Sequence, residues 1–314
     1  MHIPDGYLGL KTLIGTGAVS AASMAWALRR AKAALDQRLI PMMGIMAAFV
    51  FAAQMINFPV LGGTSGHLVG GALAAILMGP AAGIIIIGSV LIIQLLLFAD
   101  GGVFALAANM FNMAVIGVIV GYGTYRVVCR FIEGKKGIFI GSMMAGWLST
   151  VVAAIFCGLE LAVSGAVAPS VVIPAMGLVH MAIGVGEGLI TAFAVLFVLN
   201  VRPDLVATAK KVRRPFTVRE IGIGTGVAVV VAFLLSPFAS SFPDGLERVA
   251  EKLGFDHMAA ASALPSPLTD YTFPGVASPF LKTALAGLIG TAVVFVLAAI
   301  IARVAVRKTS REPN

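Results

Sequence analysis

Apolar residues fall in long unbroken runs along this chain, with polar residues gathered between them. Nine such runs stand out, at 8–28, 40–57, 68–79, 83–99, 103–125, 138–164, 171–199, 221–239 and 280–303. A helix needs about 20 apolar residues to cross a bilayer. The third run is about 12 residues long, which suits a tilted, partial or re-entrant segment. Backbone polar groups in lipid must pair within their own segment, so helices are expected throughout. The expected fold class is all-α: a polytopic membrane protein with a core of about seven spans followed by two C-terminal spans.

Composition agrees. Hydrophobic residues make up 59% of the 314 residues and charged residues 11%, against about 25% charged in soluble domains. Cys129 and Cys157 lie in or beside apolar runs without CxxC spacing and read as packing residues rather than a disulfide or thiolate metal site. A cleavable signal peptide is not expected, because the first run ends in Arg29-Arg30 and its only preceding cation is Lys11.

The net charge of +8 would suit a nucleic-acid partner if it formed one patch. It does not, and none is expected. Arg29, Arg30, Lys32 and Arg38 follow the first run. Arg126, Arg130, Lys135 and Lys136 follow the fifth. Arg202, Lys210, Lys211, Arg213, Arg214 and Arg219 follow the seventh, and Arg303, Arg307, Lys308 and Arg311 the ninth. These groups hold 18 of the 22 Lys and Arg, and simple alternation puts all of them on one side. Lys11, Arg248, Lys252 and Lys282 fall on the other. Cytoplasmic loops carry the excess of Lys and Arg, so the N-terminus is expected outside and the C-terminus inside. The expected division is a core over 1–200, a basic cytoplasmic linker over 201–219, and a two-span unit over 220–314 with an outer loop at 240–279.

The chain opens Met1-His2-Ile3-Pro4-Asp5-Gly6-Tyr7-Leu8. A free Met1 amine, the His2 amide nitrogen and the His2 imidazole close two fused chelate rings on one ion. Ni(II) and Cu(II) readily take a deprotonated amide, and both favour a flat array of nitrogens. A bulky second residue such as histidine usually leaves the initiator methionine in place. The loop at 58–67 falls on the same outer side and ends Gly62-Gly63-Thr64-Ser65-Gly66-His67. Its glycines allow close backbone approach, and His67 offers a fourth nitrogen.

The N-terminal octapeptide resembles that of the CbiM/NikM family, the substrate-binding membrane subunits of energy-coupling-factor transporters for cobalt and nickel. Gly62–Leu68 resembles that family's second metal-ligand segment. Asp100-Gly101-Gly102 with Ala108-Asn109-Met110-Phe111-Asn112-Met113 resembles its mid-chain block. Ser236-Pro237 followed by Phe242-Pro243-Asp244-Gly245-Leu246-Glu247 is similar to the small CbiN/NikN accessory subunit with its PDGLE motif, here fused in one chain. The resemblance implies that Met1 (amine), His2 (amide and imidazole) and His67 (imidazole) ligate the metal. Phe98-Ala99-Asp100-Gly101-Gly102 looks more like the nickel branch; a Gly-His-Gly-Gly form is expected for cobalt. It implies Ni²⁺ as the transported substrate, with Co²⁺ as the alternative, in a prokaryotic cell membrane. It also implies partners: a transmembrane coupling subunit and ATP-binding cassette ATPase subunits. The chain itself has no G-x-x-x-x-G-K-[ST] phosphate loop, and neither a Ser-His-Asp nor an HExxH signature, so it is expected not to be an enzyme.

Other polar residues carry weaker expectations. Asp5, Tyr7 and Asn57 are either supports for the ligand segment or members of a plain Pro4-Asp5-Gly6 turn. His180 and Glu187 in the seventh run are expected as a buried polar pair packing against Asn109 or Asn112; the rival is a functional intramembrane site. Gln94, Asn109 and Asn112 are expected to hold helices together. Gly17, Ala21 and Ala25 form a small-residue stripe that either docks the coupling subunit or packs in the bundle. Asp244, Glu247, Glu251, Asp256 and His257 are expected on a solvated face. A stand-alone secondary transporter and an intramembrane enzyme built on His180 and Glu187 are the remaining alternatives.

Overall fold

In the computed structural model the described residues are 1–34, 39–206 and 216–305. Each of the nine apolar runs is helical: α1 (Leu10–Ala34), α2 (Ile40–Gln54), α3 (Gly71–Met78), α4 (Pro80–Phe98), α5 (Leu106–Phe131), α6 (Gly134–Val163), α7 (Pro169–Val201), α8 (Val218–Phe238) and, after a short amphipathic helix α9 (Gly245–Leu253), α10 (Pro279–Ala305). Six of these (α4, α5, α6, α7, α8 and α10) are long and apolar enough to cross a membrane. Part of α5, Met110–Ile116, is wound as π-helix. Arg38, Lys210, Lys211, Arg213, Arg214, Arg307, Lys308 and Arg311, and with them the middle of the 201–219 linker, lie outside the described residues.

The rods alternate in direction. The start of α1 meets the end of α6 through Ser164 Oγ donating to Thr12 Oγ1 at 2.9 Å. At the other end of the bundle Arg202, after α7, pairs with Glu220 in the first turn of α8 at 3.2 Å. Arg29, Arg30, Lys32, Arg126, Arg130, Lys135, Lys136, Arg219 and Arg303 therefore all lie at the end remote from Met1.

The third run is the exception in length. Helix α3 has eight residues, about 12 Å, and every one of them is buried. The chain before it is extended, so its backbone groups need partners within the protein. Glu187 of α7 accepts from the Val69 and Gly70 amides at 2.6 and 3.0 Å. Gln54 Nε2 donates to the Val69 carbonyl at 2.9 Å. The loop before it is not purely irregular: Phe58–Val60 (β1) and Thr64–Gly66 (β2) form a short antiparallel hairpin.

Helices α6 and α7 pack closest, and small residues permit it. A Cβ on Gly146 would lie 2.8 Å from the Gly188 Cα. In the C-terminal third, α8 and α10 lean on α2, where the Phe295 ring covers Gly44. The loop between them returns across the end that holds Met1. There β2 is tied to it: the Ser65 amide donates to the Pro243 carbonyl at 2.8 Å, and Ser65 Oγ to the Phe242 carbonyl at 2.8 Å.

Candidate metal centre

The first five residues run between α4, α5 and the loop that joins α8 to α10, and are clamped by local chemistry. The Ile3 amide donates to Asn109 Oδ1 at 2.8 Å, and the Ile3 carbonyl accepts from Asn109 Nδ2 at 3.0 Å and from the Gly102 amide at 2.9 Å. Asp5 accepts from the amides of Val103, Phe104 and Ala105 at 2.9–3.2 Å. Both readings of Asp5 meet here: it lies in a turn with Gly6, and its carboxylate ties the N-terminal segment to the start of α5. Gly6 has φ +95°, and a Cβ there would run into the Met258 carbonyl, so the C-terminal loop seals the segment from above. Tyr7 packs edge-on against Phe255, and Asn57 accepts from the Ser240 amide through its carbonyl at 2.7 Å.

This clamp delivers Met1 and His2 to His67. The Met1 nitrogen lies 2.6 Å from His67 Nε2 and 2.8 Å from Asp244 Oδ2. The His2 ring stacks on His67, centroids 5.2 Å apart and planes 19° from parallel. His2 Nδ1 faces Asp100 Oδ1 and His2 Nε2 faces Gln94 Oε1, each at 3.1 Å. His67 Nδ1 donates to the Leu68 carbonyl at 3.0 Å, leaving the Nε2 lone pair toward Met1. That is the tautomer a ligating histidine adopts. Tyr271 OH donates to Asp100 Oδ2 at 2.5 Å, and Gln94 Nε2 donates to Gln54 Oε1 at 2.8 Å.

Burial sets the charges. It lowers the His2 pKa despite the Asp100 carboxylate beside it. Burial, then the neighbouring amine, pushes His67 down to about 3. Burial works the other way on Asp244, but the amine, the His67 ring and backbone amides hold its carboxyl well below the usual range. Both imidazoles are therefore neutral, nitrogen-donating groups at neutral pH. On one flank, Asp100, Asp244, Glu247 and Asp270 line a cavity of about 390 Å³ that also reaches His2 and His67. Such a lining concentrates cations. Among the described residues no three His, Cys, Asp or Glu side chains gather as a metal cage.

Several expectations change. Asp244 is no solvated residue: it caps α9, accepting from the Leu246 and Glu247 amides at 2.7 and 2.9 Å, and pairs with Met1. His257 is exposed. Asn109 serves the N-terminal segment rather than a helix–helix contact, whereas Gln94 does join α4 to α2 through Gln54 while also facing His2. Asn112 does bridge helices, donating to Glu160 Oε2 of α6 at 2.8 Å. His180 and Glu187 do not meet Asn109 or Asn112. Glu187 holds the strand after His67, and His180 donates from Nδ1 to the Met176 carbonyl at 2.8 Å. Ala21 and Ala25 of the small-residue stripe are exposed. Tyr271 and Gln54 were not singled out from sequence; a lone tyrosine in a long loop carries no local signal.

The CbiM family, described as the cobalt uptake substrate-specific transmembrane region, matches residues 2–205, and the PDGLE domain matches residues 219–307. The chain is 39% identical over 299 residues to the putative fused nickel transport protein NikMN of Archaeoglobus fulgidus, covering 95% of this chain and 96% of that protein. It is 32% identical to the fused nickel transport protein NikMN of Rhodobacter capsulatus, covering 94% and 95%. It is 31% identical to the cobalt transport protein CbiM of Geobacter sulfurreducens, covering 80% and 74%. A crystal structure of a truncated transition metal transporter superposes with a TM-score of 0.59 at 35% identity, over 64% of this chain and 99% of that one. The chain therefore belongs to the CbiM family of metal transport proteins, which are not enzymes, and carries a PDGLE domain behind the CbiM region.

Proposed function

We propose that this protein is the substrate-binding membrane subunit of a nickel uptake system. It takes Ni²⁺ at the outer face through four nitrogens: the Met1 amine, the His2 amide, His2 Nδ1 and His67 Nε2. The observation that carries this reading is the 2.6 Å approach of the Met1 nitrogen to His67 Nε2. In a planar site the chelate fills three corners in the order amine, amide, imidazole. The fourth corner is adjacent to the amine, and adjacent corners are about 2.8 Å apart for metal–nitrogen bonds near 2.0 Å. On binding, the His2 ring turns its Nδ1 from Asp100 to the ion.

A deprotonated amide discriminates against Mg²⁺, Ca²⁺ and Zn²⁺, which do not displace an amide proton at neutral pH. Orientation follows from charge: the basic clusters sit at the end remote from Met1, and Lys and Arg favour the cytoplasm. The chain lacks a phosphate loop, so uphill uptake requires a separate ATP-binding cassette ATPase and a membrane coupling subunit, as in energy-coupling-factor transporters. Residues 1–200 form the binding core, 201–219 the cytoplasmic linker and 220–314 the accessory unit. The second reading is cobalt as cargo in the same frame, favoured by the name of the Geobacter relative.

The test is metal content and affinity of purified protein, compared with a version carrying one extra residue before Met1 and with His67→Ala. The expected result is about one Ni²⁺ with a diamagnetic, yellow planar spectrum, lost in both variants. Normal binding by the extended version removes the amine from the ligand set and overturns the reading. Tighter binding of Co²⁺ than Ni²⁺ by the native protein transfers the role to cobalt.

A further inference from the structure

Two consecutive backbone carbonyls after His67 lead to the two histidines of the proposed site. The Leu68 carbonyl accepts from His67 Nδ1 at 3.0 Å and so keeps that ring's lone pair on Nε2. The Val69 carbonyl accepts from Gln54 Nε2 at 2.9 Å. From Gln54 a chain of side chains runs to His2. Gln54 Oε1 accepts from Gln94 Nε2 at 2.8 Å, and Gln94 Oε1 faces His2 Nε2 at 3.1 Å.

The direction of this chain is set at its backbone end. A carbonyl oxygen only accepts, so Gln54 turns its amide nitrogen to Val69 and its oxygen to Gln94. Gln94 then turns its nitrogen to Gln54 and its oxygen to His2. Both glutamines are buried, so a reversed amide would set like against like out of reach of solvent. Tyr271 supports the same orientation more weakly. Its oxygen receives a Gln94 N–H at 3.3 Å, while its own proton goes to Asp100 Oδ2.

Asp100 pulls the other way. Its Oδ1 lies 3.1 Å from His2 Nδ1 and, acting alone, would draw the ring proton to Nδ1. That is the wrong nitrogen to protonate. Only Nδ1 reaches round to share one metal with the residue's own amide nitrogen, and it does so through its lone pair. The glutamine chain opposes Asp100 by presenting at Nε2 an acceptor that cannot turn into a donor.

We propose that Gln54 is a positioning residue for nickel binding. Acting through Gln94, it holds the His2 proton on Nε2 and leaves Nδ1 for the ion. The proposal rests on the N-terminal chelate being the metal site. As Nδ1 turns from Asp100 to the ion, Nε2 stays on Gln94 Oε1 as the pivot. The extended segment that carries His67 thereby orients both rings, one through Leu68 and the other through Val69 and two side chains. Partners that fix the tautomer and orientation of a ligating histidine change metal affinity by about 10–100-fold.

The test is a double-mutant cycle in the full chain in detergent, read by Ni²⁺ affinity. Gln54→Met keeps the bulk and frees the Gln94 amide to reverse, and affinity is expected to fall about tenfold. Gln94→Glu presents an acceptor to His2 in either orientation, so in that background Gln54→Met is expected to cause no loss. Equal losses in both backgrounds, or no loss in the native one, overturn the proposal, because Gln54 then only joins α2 to α4. The second readout is proton NMR of the native protein loaded with Ni²⁺, which is diamagnetic in a planar site. A His2 Nε2 proton protected from exchange is expected, with protection lost in Gln54→Met. A freely exchanging Nε2 proton in the native protein overturns the proposal, and this readout decides alone if Gln54→Met does not fold. Absence of a planar Ni²⁺ spectrum in the native protein instead defeats the chelate, and this proposal with it.

Discussion

The Glu187 carboxylate on α7 grips the Gly70 amide at 3.0 Å, alongside the Val69 amide at 2.6 Å, and so caps α3 from across the bundle. Gly70 has φ +77° and carries no side chain that could cap its own helix. Three residues upstream is His67. We expect Glu187→Gln to retain only one acceptor and to aim an amide NH₂ at a backbone donor. Leaving a buried amide unpaired costs about 1–3 kcal/mol. Loosening the support of a metal-binding histidine lowers affinity about 10–100-fold. Nickel titration of the variant checks this, and unchanged affinity would show that the loop is held by other means.

Gly6 offers an independent handle on the same segment. Its positive φ disfavours any L side chain, and the Met258 carbonyl occupies the space a Cβ needs. The effect of Gly6→Ala should be to lift the N-terminal segment away from the C-terminal loop. Nickel affinity is expected to drop at least tenfold while far-ultraviolet circular dichroism of the helices stays unchanged. A variant that binds as the native protein does would mean that Asn109 and Asp5 position Met1 without the loop above.

The helical character of the nine apolar runs was legible because backbone groups in lipid must pair within their own segment. The proposed ligand residues could be picked out because His2 beside the amine is a local arrangement. What sequence did not reveal is long-range pairing. Asp244 looked like a loop carboxylate, yet it is the counter-charge of Met1, 243 positions earlier. Tyr271 gave no signal, and its contact with Asp100 depends on how the whole loop folds back. Glu187 was noticed as a buried acid, but its partners are backbone amides, which any residue carries. The brevity of α3 was visible, whereas the side chains that satisfy the extended strand before it were not.

Acid should destabilise the chelator-treated protein through His67. The folded pKa is about 3 and the unfolded value about 6.5. Below pH 6.5 the unfolded chain takes up a proton that the folded ring refuses, so stability falls as pH drops toward 3. The slope approaches about 1.4 kcal/mol per pH unit once the unfolded ring is fully charged. His2, also held neutral by burial, adds to the same trend. Melting temperature in detergent at pH 7.5, 6 and 5 is expected to decline stepwise, and His67→Asn is expected to flatten the decline. A melting temperature constant from pH 7.5 to 5 would contradict the neutral, buried state of these rings.

The seam between the CbiM region and the PDGLE domain lies at the far end of the bundle, where Arg202 separates stability from metal binding. Arg202 donates to both oxygens of Asp204 at 2.9 and 2.8 Å, reaches Glu220 of α8 at 3.2 Å, and its guanidinium sits 4.0 Å above the Phe216 ring. A planar fork that pairs with one carboxylate and stacks on an aromatic is not replaceable by lysine. Arg202→Met keeps the stem and removes the charge, leaving Asp204 and Glu220 without their shared cation. Removing one partner of a buried ion pair costs about 3–5 kcal/mol. The expected outcome is a lower melting temperature with an unaltered nickel titration, because Met1, His2 and His67 stand at the opposite end of α7. If nickel affinity falls in parallel with stability, the two ends of the bundle are coupled, and the linker sets the geometry of the site as well as its attachment.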